Sequence, residues 1–566
     1  MNTMNPQTEF GGCEVVGQGV GRRMNRPGTP RLARLVRAWC VTVGSALALF
    51  TALRPVGANA ATLELGTATM AELQSAIDAG TLSSEKLVQL YLARIEAYDR
   101  KGPKLNAVIT ANPKALEEAR ALDAERLSKG RRSPMHGIPV VIKDLIDHAG
   151  LPTSAGFKPF GNPIPERDAG VVARLRAAGA IVIAKVATVN WFGADAFGPT
   201  HPIGMTLNPY HADYQTGGSS NGTGASIAAW FASVGVGTDT GGSVQNPSAY
   251  CSLFGMVATQ GLVTRTGIVP RGPTQDRAGP MARNVEDMAV LLAIMAGWDP
   301  EDLDTYAGIG RFPKLEWVST LRGQTVSGRR IGVLREMVSV DPADAPAKGV
   351  FEEFLADLKK AGAQLVDPVL TGTDLRQQSS SAISGVADYE LISAGNVYLT
   401  RLGPNRPYQT MEEFITKVGP EKFIERYRKA LTMPAPDHSP DFEARYRSRR
   451  AIRAQVDELM ERHDLDAMIT LYRSTPPKTT EPSSPGPAGS LNNLTSTTGL
   501  PGVILPGGYT SSSLPVGIQL IGRSFDDLRL LQVAAGVEKA TRRRQSPAST
   551  PPLPGETIEF TQTAGR

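Results

Sequence analysis

The chain has 566 residues, of which 41% are hydrophobic and 20% are charged, a balance typical of a globular protein with a large core. Its net charge of +5 comes from the first sixty residues, which hold seven arginines, no lysine and two glutamates, so residues 61–566 sum to zero. A neutral body argues against nucleic acid as a partner. Cys251 is the only cysteine beyond residue 60, which excludes an internal disulfide and a cysteine-based metal cluster there.

Residues 1–60 have the features of an export signal. Three arginines (Arg31, Arg34 and Arg37) precede an uncharged, mostly apolar stretch from Ala38 to Leu53, and Ala58-Asn59-Ala60 offers a small-x-small cleavage pattern. The apolar stretch is shorter than the roughly 20 residues that span a bilayer, although an uncleaved anchor stays an alternative. We therefore expect an exported protein, periplasmic or secreted, that keeps no stable membrane contact after cleavage.

Helices and strands are predicted to alternate beyond this leader. A capping box at Thr69 and Glu72 begins one helix, and Ser83 begins another. Apolar runs predict strands at 139–146, 180–186, 330–334, 467–471, 502–505 and 516–521, with helices at 171–178 and 284–297. Such alternation is typical of a sheet covered by helices on both faces. The predicted fold class is therefore α/β, with a large mixed, mainly parallel sheet.

Composition then suggests the domain boundaries. Residues 61–545 are predicted to form a single domain, within which residues 372–465 are mostly helical and polar. We expect that insertion to be a solvated element on one side of the sheet, with a cover over the functional site as the alternative. Residues 473–490 are predicted to form a loop, and residues 546–566, rich in proline, serine and threonine, a disordered tail.

Two Gly-Gly-Ser units, at 217–219 and 241–243, make residues 216–247 the most informative stretch. No Gly-Lys-Ser/Thr follows them, which excludes a P-loop. Ser243 after two glycines suits a nucleophile, because backbone N–H groups at Thr240, Gly241, Gly242 and Ser243 can converge on one oxygen of a substrate.

A base for Ser243 must come from elsewhere, because this stretch contains no histidine. Lys143 ends the apolar strand that begins at Pro139, and a lysine that is stripped of water loses its proton more easily. Ser219 lies 24 residues before Ser243 and could relay the proton between Ser243 and Lys143.

The stretch from Gly217-Gly-Ser-Ser to Gly237-Thr-Asp-Thr-Gly-Gly-Ser resembles the amidase signature. His136 to Asp144 resembles that family's lysine strand, and Gly279-Pro-Met-Ala-Arg and Gly499-Leu-Pro-Gly-Val resemble later segments in the same order. The resemblance extends over most of residues 65–540. It implies the amidase signature fold and a hydrolase that cuts carboxylic amides.

The resemblance also assigns roles to residues. Ser243, Ser219 and Lys143 correspond to the family's Ser-cisSer-Lys triad, with an acyl-enzyme on Ser243 and neither metal nor organic cofactor. Gln245 stands where the family usually has arginine, so an ion pair to Asp239 would be replaced by a neutral hydrogen bond. We expect a small-molecule amide, aryl or acyl, as the substrate, and a homodimer is compatible with the sequence.

Other interpretations stay open. The same triad could cut a carbamate or an ester. Gly218-Ser219-Ser220-Asn221-Gly222 also matches the G-x-S-x-G elbow of esterases, which would make Ser220 the nucleophile with a downstream pair such as Asp437 and His438, or Asp464 and His463. Some members of the family serve in a cytosolic tRNA-dependent amidotransferase complex, a role that the leader and the neutral body argue against.

A substrate pocket is predicted from apolar residues between the lysine strand and the serine segment. Trp191, Phe192, Phe197 and Met205 are the candidates for lining an acyl pocket, with core packing as the alternative for each.

Overall fold

The computed structural model describes residues 59–473, 475–480 and 493–562. Most of the predicted leader therefore lies outside the described residues. The strands are Asn59–Glu64 (β1), Val108–Ala111 (β2), Pro139–Lys143 (β3), Ile181–Val186 (β4), Val234–Asp239 (β5), Phe254–Val257 (β6), Arg277–Ala282 (β7), Arg330–Val333 (β8), Gln364–Val366 (β9), Ala467–Leu471 (β10), Gly502–Tyr509 (β11), Pro515–Ile521 (β12) and Thr557–Gln562 (β13).

The α-helices that surround these strands differ widely in length. They are Met70–Asp78 (α1), Ser84–Arg94 (α2), Ala115–Lys129 (α3), Gly170–Ala177 (α4), Asn221–Ala228 (α5), Gln245–Tyr250 (α6), Val285–Met295 (α7), Leu315–Leu321 (α8), Ala345–Lys360 (α9), Leu375–Ile383 (α10), Leu391–Arg401 (α11), Met411–Val418 (α12), Glu425–Ala430 (α13), Pro440–Arg462 (α14), Leu494–Thr498 (α15) and Asp527–Thr541 (α16). The capping box at Thr69 and Glu72 begins α1 as predicted. In the described part of the chain, no helix is both long and apolar enough to cross a membrane.

Eleven strands form one sheet in the order β2-β4-β3-β5-β7-β6-β11-β12-β10-β8-β9. The sheet is mixed, as predicted. Parallel pairing is confined to two blocks, β4-β3-β5 and β10-β8-β9, whereas the other neighbours run antiparallel. The predicted predominance of parallel strands is corrected in this respect. A short connection such as the one between β11 and β12 permits only antiparallel pairing, because parallel strands need a long crossover.

The predicted insertion consists mainly of helices α10 to α14. Its apolar face is buried: Phe414 and Tyr427 pack into the same core as residues of the sheet layer. A purely solvated insertion was therefore the wrong expectation. Residues of this segment also line a cavity beside the sheet, described below.

The prediction of a disordered tail is wrong for the described residues up to 562. Strand β13 pairs antiparallel with β1, from Asn59 opposite Gln562 to Glu64 opposite Thr557. The Arg94 guanidinium donates a hydrogen bond of 2.7 Å to the Glu556 carboxylate, and the two side chains are 0% and 1% exposed. Proline and serine content predicted disorder, but a buried ion pair and a strand partner from the far end of the chain hold this segment.

Candidate active site

Parallel strands β3 and β5 bring the predicted base and its neighbours to one edge of the sheet. Val140 pairs with Val234 and Ile142 with Val236, so the carboxyl ends of both strands lie together. Lys143 closes β3, and Thr238 and Asp239 close β5. All five residues of β3 are buried, which fixes a charged residue type at the end of an apolar strand.

Lys143 contacts two hydroxyl groups and no water-exposed surface. Its Nζ donates hydrogen bonds to Ser219 Oγ at 2.6 Å and to Thr238 Oγ1 at 2.9 Å. The Lys143 side chain is fully buried and Ser219 is 6% exposed. Burial lowers the pKa of the Lys143 amine well below its usual range; the charges of Asp239 and Asp276 oppose this shift and that of Arg271 adds to it. The site therefore favours a neutral amine.

Ser219 follows a cis peptide bond, between Gly218 and Ser219. The next residue, Ser220, donates its backbone N–H to the Ser243 carbonyl oxygen at 3.2 Å, which ties the two Gly-Gly-Ser units together. Helix α5 then begins at Asn221, and every residue of it is buried. The segment that carries Ser219 is thus anchored on both sides.

Ser219 and Ser243 line the same two cavities. The insertion-side cavity, about 380 Å³, is lined by Ser219, Ser243, Thr240 and Gly241 from the serine segments and by residues 383–388 and 424–426 of the insertion. The Met205-side cavity, about 320 Å³, is lined by both serines together with Phe197 and Met205. In the part of the chain that the structure describes, the Ser243 hydroxyl makes no hydrogen bond, so it is free to meet a substrate.

The loop before Ser243 is held by the buried Asp239 carboxylate. It accepts hydrogen bonds from the N–H groups of Gly242 at 2.9 Å and Val244 at 2.8 Å, and from the Ser496 hydroxyl at 2.8 Å. The Gly242 amide is therefore occupied by Asp239, which corrects its predicted place among the oxyanion donors. The N–H groups of Thr240, Gly241 and Ser243 have no hydrogen-bond partner among the described residues.

Gly242 also needs to be glycine. Its φ is +111°, and a Cβ there would lie 2.6 Å from the Tyr472 hydroxyl oxygen. Gln245 Nε2 donates to Asp239 at 3.3 Å, which confirms the predicted neutral hydrogen bond at this position. No ion pair to Asp239 forms within the described ranges.

Three of the four predicted pocket residues face the cavities. Trp191 lines the insertion-side cavity, and Phe197 and Met205 line the Met205-side cavity. The prediction is wrong for Phe192, which is 3% exposed and packs its ring 5.1 Å from Phe414. Its large apolar ring gains more from the aromatic core beneath the insertion than from a wet cleft.

The esterase alternative is wrong on geometry. The Ser220 side chain is fully buried, and its hydroxyl lies between the carbonyl oxygen of Thr238, at 3.1 Å, and the N–H of the same residue, at 3.2 Å. His438, by contrast, is 78% exposed beside Asp437 at the surface. Among the described residues, no histidine lines either serine cavity.

Arg271, Gln275 and Thr238 were not predicted. Arg271 lines both serine cavities, and Gln275 lines the insertion-side cavity. Thr238 could have been found, since it ends an apolar strand parallel to the lysine strand. Arg271 lies in a loop after β6, and only the fold brings that loop to the serines. Within the part of the chain that the structure covers, no group of histidine, cysteine, aspartate or glutamate side chains is arranged to hold a metal ion.

Known proteins share this sequence and architecture. The Amidase family model matches residues 86–531. The glutamyl-tRNA(Gln) amidotransferase catalogued from Ralstonia pickettii strain 12J has a component chain that is 31% identical over 501 residues, which cover 84% of this chain and 97% of the relative. The native peptide amidase from Stenotrophomonas maltophilia is 31% identical, with a TM-score of 0.76 over 86% of this chain and 99% of that one. The chain therefore belongs to the amidase signature family of amide hydrolases.

Proposed function

We propose that this protein hydrolyses a carboxylic amide to an acid and an amine or ammonia through an acyl-enzyme on Ser243. The observation that carries the proposal is the 2.6 Å contact between the buried Lys143 amine and the Ser219 hydroxyl, beside a second serine on the same cavities. A buried amine that prefers to be neutral can accept a proton, which is what an unactivated serine requires of its base.

The first half of the reaction forms the acyl-enzyme. Ser243 Oγ attacks the amide carbonyl carbon while its proton passes to Ser219 Oγ, whose own proton passes to neutral Lys143. The negative charge on the carbonyl oxygen is stabilised by the N–H groups of Thr240, Gly241 and Ser243. The Lys143 ammonium then returns a proton through Ser219 to the substrate nitrogen, and the carbon–nitrogen bond breaks.

The second half releases the acid. Water attacks the ester carbon, and its proton takes the same path through Ser219 to Lys143. Collapse of the tetrahedral intermediate breaks the bond to Ser243 Oγ, which regains a proton from the relay. No other titratable group is needed, because each proton that Lys143 accepts is returned in the same half-reaction.

Replacement of the triad tests this mechanism. Ser243→Ala and Lys143→Met should each lower kcat for a neutral anilide such as hexanoyl-p-nitroanilide by at least about 10³-fold, because each removes an essential part of one unit. His438→Ala, at the surface, is the matched control and should leave kcat unchanged. Circular dichroism checks that each variant is folded. Turnover near the parent value in a folded Ser243→Ala or Lys143→Met protein would eliminate the mechanism.

Carbamates and esters fit the same chemistry, so the substrate range is a matter of the cavities and not of the triad. A panel of matched anilides, carbamates and esters on the purified protein separates these classes by kcat/KM. The same preparation tests the proposal that the chain works without a second protein, since hydrolysis by the chain alone distinguishes it from a component that needs a partner.

Export is part of the proposal and is supported by the sequence of the leader. The arginines, the apolar stretch and Ala58-Asn59-Ala60 predict cleavage after Ala60. Determination of the N-terminal residue of the protein from a periplasmic or culture fraction tests this. A full-length chain confined to the cytosol would contradict it.

A further inference from the structure

Arg271 is a buried cation that faces both serine cavities. Its side chain is 9% exposed, and among the described residues it is the only charged one that lines the Met205-side cavity. Burial lowers the pKa of its guanidinium, as expected for a charge with little water around it. A charge in such a place needs a counter-charge or hydrogen-bond acceptors to offset the loss of hydration.

The protein holds Arg271 in place but does not neutralise it. The guanidinium stacks on the Trp191 ring, with Cζ 4.0 Å from the ring centroid, and one of its N–H groups donates to the Trp191 carbonyl oxygen at 3.0 Å. Across the described ranges, no carboxylate forms an ion pair with it. Most of its five donors therefore remain available, in an orientation fixed by the stacked ring.

The carboxylates closest to Arg271 are engaged elsewhere. Asp276 accepts hydrogen bonds from the backbone N–H groups of Arg271 and Gly272 and from the Thr240 hydroxyl. Asp388 lies 3.7 Å from Arg426 in an ion pair across the insertion-side cavity. Neither contacts the Arg271 side chain, so its counter-charge has to come from outside the chain.

We propose that Arg271 binds a carboxylate of the substrate, and that the preferred substrates are amides that carry a negatively charged group a few bonds from the scissile carbonyl. This inference rests on the proposed function and narrows it to a substrate class. A planar guanidinium with adjacent free N–H groups is the partner that a carboxylate binds most specifically, through two parallel hydrogen bonds. The apolar side chains of Met205 and Phe197 would pack against the linker between the two groups.

Matched substrates test the assignment. Glutaryl-p-nitroanilide carries a carboxylate on the acyl side, and hexanoyl-p-nitroanilide is its neutral counterpart; N-acetyl-4-aminobenzoate and N-acetyl-4-ethylaniline form the pair for the amine side. The parent enzyme should prefer the charged member of one pair. Arg271→Met should lower kcat/KM for that member by about 10- to 100-fold, the usual effect of losing a charge-assisted hydrogen bond, and change the neutral member by less than about threefold. Arg271→Lys should fall between the two.

Equal losses on both members of each pair, or no preference for a charged member in the parent, would overturn the inference. If Arg271→Met does not fold, inhibition of the parent enzyme decides: glutarate should compete with hexanoyl-p-nitroanilide at concentrations at least tenfold below those of neutral pentanamide, and equal inhibition would overturn the inference. Hydrolysis of the neutral anilide that depends on Ser243, without any discrimination by charge, would refute this inference alone and leave the proposed function intact.

Discussion

At the scale of single residues, the protonation state of Lys143 depends on few groups. Burial is the largest influence and lowers the pKa of the amine; the negative charges of Asp239 and Asp276 raise it, and the positive charge of Arg271 lowers it. The neutral base is present above this pKa and is lost as the pH falls through it. Activity should accordingly disappear on acidification, at a pH well below the ordinary titration of lysine.

Arg271→Met should move the acid limb of the kcat profile to higher pH, measured with hexanoyl-p-nitroanilide. The sign follows from the charge: without the nearby cation the Lys143 ammonium is less disfavoured, so its pKa rises and the amine is protonated sooner. Arg426→Met is the matched control, because Arg426 lines the insertion-side cavity but is not among the charges that act on Lys143. An acid limb that shifts equally in both variants would contradict this account.

Prediction from the sequence went furthest where a residue type had one use. A lysine at the end of an apolar strand and serines after paired glycines pointed to a site, and the fold brings Lys143 and Ser219 into contact. The place of Arg271 and the bond from the Gly242 amide to Asp239 could not be predicted, because both depend on how loops distant in the chain meet. Phe192 and Trp191 are adjacent and aromatic, and only the packing of α12 decides which one faces the cleft.

At the scale of elements, the last segment of the chain is held by a buried charge on α2. Arg94 donates to Glu556 and also to the carbonyl oxygens of Thr550 and Ala229, at 2.8 and 3.0 Å, and it stacks on the Trp230 ring at 4.2 Å. The helix and the segment before β13 therefore depend on each other. A pattern of proline and serine cannot reveal such a partner more than 450 residues away in sequence.

Glu556→Ala should lower the free energy of unfolding by about 3–5 kcal/mol, because it leaves the Arg94 charge buried and unpaired. Urea unfolding followed by circular dichroism measures the change. The exposed i,i+4 pair of Arg447 and Glu443 on α14 supplies the comparison: Glu443→Ala should change the same quantity by less than about 1 kcal/mol. Comparable small effects in both variants would show that the tail is not anchored by its charge.

At the scale of the whole molecule, the class of architecture was predictable and the strand order was not. Period and caps identified most central elements, since each depends on local sequence. The order β5-β7-β6-β11-β12-β10 joins segments separated by up to about 250 residues, and local patterns carry no record of such pairings. The same limit hid the pairing of β1 with β13.

That pairing places Asn59 directly opposite Gln562, so the two extremities of the domain meet in one ladder. A two-residue Asn-Gly turn could join them into a hairpin, which would make the backbone a closed ring. A circular permutant joined in this way and reopened between Lys129 and Gly130, in an exposed turn after α3, should fold and hydrolyse the neutral anilide at the parental rate. An insoluble or inactive permutant would show that the natural ends must be separate for the domain to assemble.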